Sequence, residues 1–437
     1  MSTTIEGLDP ASAFLLDEPA ETEARMEPEP DPADERAGAL DALRDANFAR
    51  FWVAFTLSMT GSWVRITALG VLAYDLTGDA FMLGVLSFAA SVPKLVVGPI
   101  AGAVMDRVDR RRVIVLTQAL TFVTAGVLSI LVFAGKAEFW HLLVAAAVMG
   151  IASGFDWPAR LSLVPSIVPR RTMHSAIALN MAGFNGARII GPTLAGWLIA
   201  GIGIGICFVV TSVAVIPMML AVMTLTIVRP HLTEGVPTEP AMVMLREGYR
   251  YIWREPTIRG LLSVDIVPIA LGMSYSTMAP AIARDVLHLP EGGLGWLLGM
   301  VGAGSLLGSF TVAMLARSPN RGKIVIAAVM AFGLGVIGFG LSSSPWLSFP
   351  LAFGIGLAWS LYSTLGDTLV QTNVDESYRG RVVSVQTMFW GLSPIGGLLA
   401  GAMASLLDVQ WAVAINGVLI LLYVPYLWFR TPVRYLS

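Results

Sequence analysis

The chain has 437 residues, of which 55% are hydrophobic and only 13% carry charge. Soluble domains carry charge on about 25% of their residues, so a soluble protein of this size could not cover its surface with these side chains. The composition therefore predicts a protein that crosses a membrane several times. The single cysteine, Cys207, excludes a disulfide framework and a multi-cysteine metal site.

The charges are distributed unevenly along the chain. Residues 1–45 contain 13 acidic and 3 basic side chains, whereas the remainder contains 17 acidic and 25 basic ones. The start of the chain is acidic, rich in proline and poor in large apolar residues, which predicts a disordered tail over residues 1–46. It has neither the basic start nor the apolar run of a signal peptide, so we expect this tail to stay in the cytoplasm.

Apolar segments long enough to span a membrane, roughly 20 residues each, fall into two sets of six. The first set comprises residues 51–74, 80–104, 112–135, 139–159, 174–199 and 202–228. The second set comprises residues 259–283, 293–316, 322–342, 346–371, 382–406 and 410–429. The predicted organisation is a six-helix half over 47–228, a second half with a short tail over 259–437, and a cytoplasmic loop over 229–258. The helical spacing of apolar residues in that loop predicts an amphipathic helix on the inner membrane surface.

Basic residues recur after every second predicted span. The recurring group comprises Arg107, Arg110, Arg111, Arg112, Arg160, Arg170, Arg171, Arg229, Arg246, Arg250, Arg254, Arg259, Arg317, Arg321, Lys323, Arg379 and Arg381. The intervening connections offer only Lys136 and Arg284. Because cytoplasmic loops carry the excess of arginine and lysine, both termini are predicted to be cytoplasmic.

The densest charge cluster is the segment GAVMDRVDRRRV, residues 102–113, between two apolar spans. It fits the pattern Gly-x-x-x-Asp-Arg-x-x-Arg-Arg through Gly102, Asp106, Arg107, Arg110 and Arg111. This pattern resembles the loop motif between spans two and three of the major facilitator superfamily. The resemblance implies a conformational latch, in which Asp106 lies against a helix N-terminus and Arg110 pairs with Asp156. The alternative is that the arginines only set the topology.

Longer stretches resemble one bacterial branch of this superfamily, which includes the enterobactin exporter and related drug-efflux proteins. They are LGVLAYDLTGDAFMLGVLSFAASVPKLVVGPIAGAVMDRVDRRRV, PARLSLVPSIV, ALNMAGFNGARIIGPTLAG and QTNVDESYRGRVVSVQTM. The resemblance covers residues 47–430. It implies an all-α membrane protein with twelve transmembrane helices in two six-helix halves and both termini cytoplasmic.

The segment GARIIGPTLAGW, residues 186–197, resembles the fifth-span motif of drug–proton antiporters. Gly191, Pro192 and Gly196 match the motif, whereas Ala187 and Ala195 replace glycines. Proline removes a backbone hydrogen bond and bends a helix, and in exporters this bend is thought to seal against leakage. Helix packing alone is the alternative.

Ionisable side chains inside the predicted spans are costly and point to function. Three are cations in the first half (Arg65, Lys94 and Arg188), and two are carboxylates in the second half (Asp265 and Asp367). One interpretation is that they recognise an anionic or zwitterionic cargo. A second is an internal ion pair in which an aspartate releases a proton as cargo binds, and a third is purely structural pairing between spans.

Together these features predict a secondary transporter of the bacterial inner membrane that exports a small organic compound, drug-like or siderophore-like, by proton antiport. No phosphate-cradling loop appears in the sequence, and no catalytic constellation stands in a polar context, so we expect neither an enzyme nor a cofactor. The expected partners are the substrate, protons and the lipid bilayer, not nucleic acid, and we expect a monomer. The alternatives are an importer or lipid flippase on the same fold, or a non-transporting membrane sensor.

Overall fold

The computed structural model describes residues 40–105, 108–226, 241–290, 292–315 and 318–436. Within these ranges the chain forms long α-helices joined by short turns. The acidic tail predicted over 1–46 lies outside the described residues up to position 39, as do residues 227–240 of the predicted middle loop.

Six helices precede the middle loop and form the first half. They are α1 (Ala46–Thr77), α2 (Ala80–Met105), α3 (Arg110–Phe133), α4 (Phe139–Ile167), α5 (Met173–Gly201) and α6 (Gly205–Thr224). Side-chain caps fix two of the starts. Asp45 accepts from the backbone N–H groups of Asn47 and Phe48 at α1, and Asp109 accepts from that of Arg111 at α3. Such a cap stabilises a helix by about 1 kcal/mol.

The middle loop contains α7 (Ala241–Arg254), and the second half follows directly. Its helices are α8 (Pro256–Val267), α9 (Ser274–Ala281), α10 (Gly293–Leu315), α11 (Arg321–Leu341), α12 (Pro345–Asn373), α13 (Arg379–Met388), α14 (Ser393–Ala404) and α15 (Val409–Arg430). Two of the predicted spans of this half are interrupted helices. A π-helical stretch, Pro268–Gly272, joins α8 to α9, and a 3-10 turn, Phe389–Leu392, joins α13 to α14. Pro268 opens the first break and Pro394 follows the second, and proline lacks the N–H that would continue the preceding hydrogen-bond ladder.

Nine helical segments of the described chain are long and apolar enough to cross a membrane. Three other predicted spans coincide with α1, with α5 and with the broken pair α13–α14. Of these, α1 and α5 are 32 and 29 residues long. The protein is thus a multi-helix membrane protein, and the number of crossings beyond these nine remains a prediction.

The two halves touch closely at one end of the bundle, where α1 turns into α2 through Gly78, whose φ is 63°. We call this the Gly78 end, and the opposite end, where α3 begins, the Asp109 end. At the Gly78 end, a Cβ on Gly196 of α5 would lie 2.6 Å from the carbonyl oxygen of Gly292. A Cβ on Gly84 of α2 would lie 2.8 Å from the carbonyl oxygen of Gly397 on α14. Glycine is required at these points because the backbones of the two halves approach this closely.

Candidate functional site

Arg188 lies where the two halves meet. It is carried by α5, and its guanidinium carbon is 5.8 Å from the ring centre of Trp63 on α1 and 5.6 Å from that of Trp359 on α12. The hydroxyl of Tyr275, on α9, lies beside the same guanidinium. A single cation of the first half is therefore enclosed by aromatic rings from both halves.

Further aromatic rings extend this cluster on each side. In the first half, Phe184 contacts Trp63 at 6.3 Å and Trp157 at 5.4 Å between ring centres. In the second half, four rings pack edge to face: Trp359, Tyr362, Phe332 and Tyr275. Flat rings with their negative faces turned to a guanidinium provide a surface suited to flat organic molecules.

The two second-half carboxylates share one hydrogen-bond donor. Gln386, on α13, donates through Nε2 to Asp265 Oδ2 at 3.1 Å and to Asp367 Oδ1 at 2.6 Å. Asp265 is buried, and its other oxygen has no hydrogen-bond partner among the described residues. The structure thus brings together two carboxylates that are 102 positions apart in the sequence, through a side chain that sequence reasoning missed.

Arg65 and Lys94, the other two cations predicted in the first half, form no ion pair with Asp265 or Asp367 among the described side chains. Arg65 is half-buried on α1, and its Nε is buried without a hydrogen-bond partner in the described part of the chain. Lys94 is exposed on α2, beside the backbone of Gly154. Among the described side chains, no ion pair joins Arg65, Lys94 or Arg188 to Asp265 or Asp367. The cations and the carboxylates are therefore separate features of the two halves in this conformation.

Asp156 belongs to a buried network inside the first half. It pairs with Arg160 one turn further along α4 at 2.6 Å, and it accepts hydrogen bonds from Thr117 at 2.9 Å and Gln118 at 2.8 Å on α3. Arg160 is only 2% exposed and donates to Ser58 of α1 at 2.9 Å. This network ties α1, α3 and α4 together. Arg160 was predicted only as a topology signal, whereas its side chain is among the largest fully buried ones of the described residues.

The expected ion pair between Arg110 and Asp156 is not made in this structure. Arg110 donates instead to the carbonyl oxygen of Ser162 at 2.8 Å, and Arg111 donates to that of Leu225 at 2.5 Å. Both arginines thereby hold the start of α3 against neighbouring helices. Asp106 and Arg107, the other charged members of the predicted latch, lie outside the described residues, and Gly102 lies in the last turns of α2.

The fifth-span motif lies at the contact between α5 and α10. A Cβ on Gly191 would lie 2.4 Å from the Cβ of Trp63, and one on Gly295 would lie 2.5 Å from the carbonyl oxygen of Pro192. Gly196 meets Gly292 and Gly295 in the same seam. The motif therefore packs α5 against its own half on one side and against the opposite half on the other.

Two polar contacts join the halves at the Gly78 end. Asp75 forms an ion pair with Arg284, and Tyr74 donates a hydrogen bond to Asp285. They border a crevice of about 420 Å³ that is lined by residues of both halves, Gly196 among them. The Gly78 end is thus held by close backbone packing together with a small set of polar contacts.

α7 is fastened to the Asp109 end of the second half. Glu247 forms an ion pair with Arg381 of α13 at 2.8 Å, and the ring of Tyr251 stacks on that of Tyr378 with 4.4 Å between centres. The Tyr251 hydroxyl accepts from the backbone N–H of Asp375 at 3.2 Å. Burial raises the pKa of the Tyr251 phenol, so the group stays neutral in this contact at physiological pH.

Three residues of these sites, Gln386, Tyr275 and Arg160, were not predicted as site residues from the sequence. Gln386 and Tyr275 are uncharged and stand in segments with no unusual spacing, so only their tertiary contacts identify them. Arg160 had a usable signal, since it follows Asp156 by four positions, the spacing that places two side chains on one helix face. That spacing within an apolar segment could have predicted the buried pair.

The sequence of this chain matches one protein family and is similar to those of two efflux proteins. A sequence model of a family described as transmembrane secretion effectors of the major facilitator type matches residues 37–436. The chain is 28% identical over 352 residues to the multidrug efflux pump Tap of Mycolicibacterium fortuitum, covering 79% of this chain and 86% of that protein. It is 24% identical over 385 residues to macrolide efflux protein A of Streptococcus pyogenes, covering 86% and 93%.

The fold is also similar to that of solved transporters. A bacterial homologue of the human lysosomal transporter Spinster, in an inward-facing and unoccupied conformation, superposes with a TM-score of 0.69 at 15% identity. The match covers 89% of this chain and 98% of that one. At this identity the likeness extends to the fold alone.

Proposed function

Because the chain belongs to the major facilitator superfamily, in its family of transmembrane secretion effectors, we propose that it exports a small organic compound across the bacterial inner membrane by proton antiport. The observation that carries the proposal is the position of Arg188 between Trp63 and Trp359. A site that both halves build can change its access when they rock against each other. The efflux activity named for two relatives supports the same direction of transport.

The proposed orientation has twelve crossings with both chain ends in the cytoplasm. The Asp109 end would then face the cytoplasm, since it carries Arg110, Arg111 and Arg381, as the positive-inside rule requires. The Gly78 end would face outward. In this orientation the conformation described here is closed toward the outside, because Gly196 and Gly292 meet there.

The cargo would bind beside Arg188. Its guanidinium favours a negative or zwitterionic group, and the surrounding rings favour a flat apolar body. Lys94 would add positive charge on the cytoplasmic side of this site, and Arg65, which follows Trp63 toward the Gly78 end, would add it on the outer side. The crevice bordered by Asp75 and Arg284 would serve as the outer vestibule once the Gly78 end opens.

Proton coupling would take place at Asp265 and Asp367. Two carboxylates that share the amide of Gln386 repel each other when both are charged, and a low-dielectric surrounding strengthens that repulsion. One proton bound between them removes it. Opening toward the outside would load the pair with a proton, and opening toward the cytoplasm, where cargo enters, would release it.

The latch remains part of this proposal. Gly102, Asp106, Arg107, Arg110 and Arg111 would hold the Asp109 end when the transporter faces outward. Asp106→Asn is expected to cut transport strongly while the protein still reaches the membrane. Full turnover in that variant would leave these arginines as topology signals only.

Transport in inverted membrane vesicles tests the function directly. With the interior acidified, we expect uptake of an organic probe, for which a labelled macrolide and carboxyfluorescein cover a cationic and an anionic compound, and collapse of uptake when a protonophore is added. Uptake that is independent of the pH gradient would favour a flippase. Uptake of probe only in right-side-out vesicles would favour an importer. No flux of either probe in any orientation would favour a sensor.

A further inference from the structure

The outward face of α7 combines arginine with large aromatic side chains. Its exposed arginine and aromatic residues are spaced three or four positions apart and so lie on one side of the helix: Arg246, Tyr249, Arg250, Trp253 and Arg254. Trp253 is 69% exposed, whereas Ile252 and Gly248 on the opposite side are buried. We call these five residues the arginine face of α7.

α7 cannot turn this face inward, because its other side is fixed to α13. A Cβ on Gly248 would lie 3.0 Å from the carbonyl oxygen of Arg381, and the Glu247–Arg381 pair and the Tyr251–Tyr378 stack hold the same side. Arg259, at the start of the second half, extends the face, since its guanidinium carbon lies 5.7 Å from the ring centre of Trp253.

We infer that the arginine face of α7 binds the headgroups of anionic phospholipids in the cytoplasmic leaflet. The inference rests on the proposed transporter and its orientation, which place α7 at that membrane surface. Guanidinium groups bind phosphate in a bidentate manner, and tryptophan and tyrosine favour the headgroup region of a bilayer. The arginines line one side of this face and the aromatic rings line the other. This arrangement matches a membrane surface, in which charged headgroups cover an apolar interior.

The contacts of α7 connect this lipid site to the transport path. Glu247 holds Arg381 in the first turn of α13, and Gln386, five residues further along the same helix, holds Asp265 and Asp367. Lipid bound to α7 would therefore steady the helix that positions the two carboxylates. Turnover is expected to rise with the content of anionic lipid, with Glu247 as the positioning residue.

Lipid binding is tested on the purified full chain. Native mass spectrometry counts the lipids retained when the protein is titrated with phosphatidylglycerol or phosphatidylcholine. Each arginine near a charged surface contributes about fivefold to lipid affinity, so the triple variant Arg246→Gln, Arg250→Gln, Arg254→Gln should lose at least tenfold in phosphatidylglycerol retention. The matched control changes three exposed arginines outside this face, Arg44, Arg50 and Arg112, to glutamine and should retain phosphatidylglycerol.

The link to transport is tested by flux in vesicles of phosphatidylcholine with and without phosphatidylglycerol. The wild-type protein should be faster with phosphatidylglycerol, and the triple variant should be equally slow in both lipids. Glu247→Gln should keep phosphatidylglycerol retention and lose the acceleration. Arg381 is left unchanged so that its other contacts stay intact.

Equal retention of the two lipids by the wild-type protein, or an equal loss in the control variant, would overturn the lipid site. Selective retention that appears only after residues 1–39 are deleted would also overturn it, because the acidic tail would then be the occupant of the face. Selective retention of phosphatidylglycerol without flux in vesicles of either composition would support the lipid site and contradict the proposed transport function.

Discussion

The guanidinium carbon of Arg188, in the first half, lies 5.6 Å from the ring centre of Trp359, in the second half. A contact of this kind contributes about 0.5–1 kcal/mol at exposed sites and about 2 kcal/mol when water is excluded. It crosses the interface along which a major facilitator rocks. Any change of access must therefore alter the surroundings of this one cation.

Removing the ring of Trp359 should weaken the proposed cargo site. Trp359→Ala takes away the apolar wall beside Arg188, and a loss of about 1–2 kcal/mol corresponds to a KM for export raised roughly 5- to 30-fold. Trp359→Phe keeps a ring and should lose less. KM and maximal rate in inverted vesicles measure the effect. Trp346, on the same helix and 90% exposed, provides the control, and a Trp346→Ala variant impaired to the same degree would refute the site.

The seam between α5 and α10 should tolerate no added methyl group. A Cβ on Gly196 meets the carbonyl oxygen of Gly292 at 2.6 Å, whereas one on Gly186, in the same helix, meets no atom within 4 Å. Overpacking costs about 1–3 kcal/mol, so Gly196→Ala should shift the halves away from closure at the Gly78 end and slow export. Distances between spin labels on α5 and α10 report the shift. Gly186→Ala is expected to behave like the wild-type protein; if the two variants match, the seam does not control closure.

The Asp156–Arg160 pair should contribute mainly to stability. Asp156→Asn leaves the guanidinium of Arg160, 2% exposed, without its counter-charge, and breaking a buried pair costs about 3–5 kcal/mol. Thermal unfolding in detergent should show a clear drop in the melting temperature. Asp109→Asn is the matched control, since it loosens only the exposed 3.9 Å contact with Arg112, worth less than about 1 kcal/mol, and asparagine still caps α3. Equal melting temperatures for the two variants would contradict the structural role.

The sequence anticipated the helices well and the contacts poorly. Hydropathy alone placed the fourth segment over 139–159, whereas α4 continues to Ile167, because Arg160 is buried by its partners and does not end the helix. Asp156 was identified as a site residue, yet its expected partner Arg110 reaches Ser162 instead. Asp265 and Asp367 stood out as charges in apolar segments, but their common donor Gln386 did not. A charged side chain within an apolar segment is conspicuous in a sequence because burying a charge in the membrane is costly. The partners of that side chain depend on tertiary packing, which the sequence does not display.

The most direct test of proton-coupled export is the response of Asp265→Asn to a pH gradient. Asparagine keeps the size of the side chain and a hydrogen bond to Gln386 but cannot bind and release a proton. Accumulation of probe in acid-loaded inverted vesicles is measured beside exchange of probe without a gradient, with Asp408→Asn, at the exposed start of α15, as the control. We predict that Asp265→Asn loses gradient-driven accumulation and retains measurable exchange, while Asp408→Asn retains both accumulation and exchange. If Asp265→Asn still accumulates probe against its gradient with unchanged pH dependence, the coupling acid lies elsewhere and the proposed role of the Asp265–Asp367 pair is wrong.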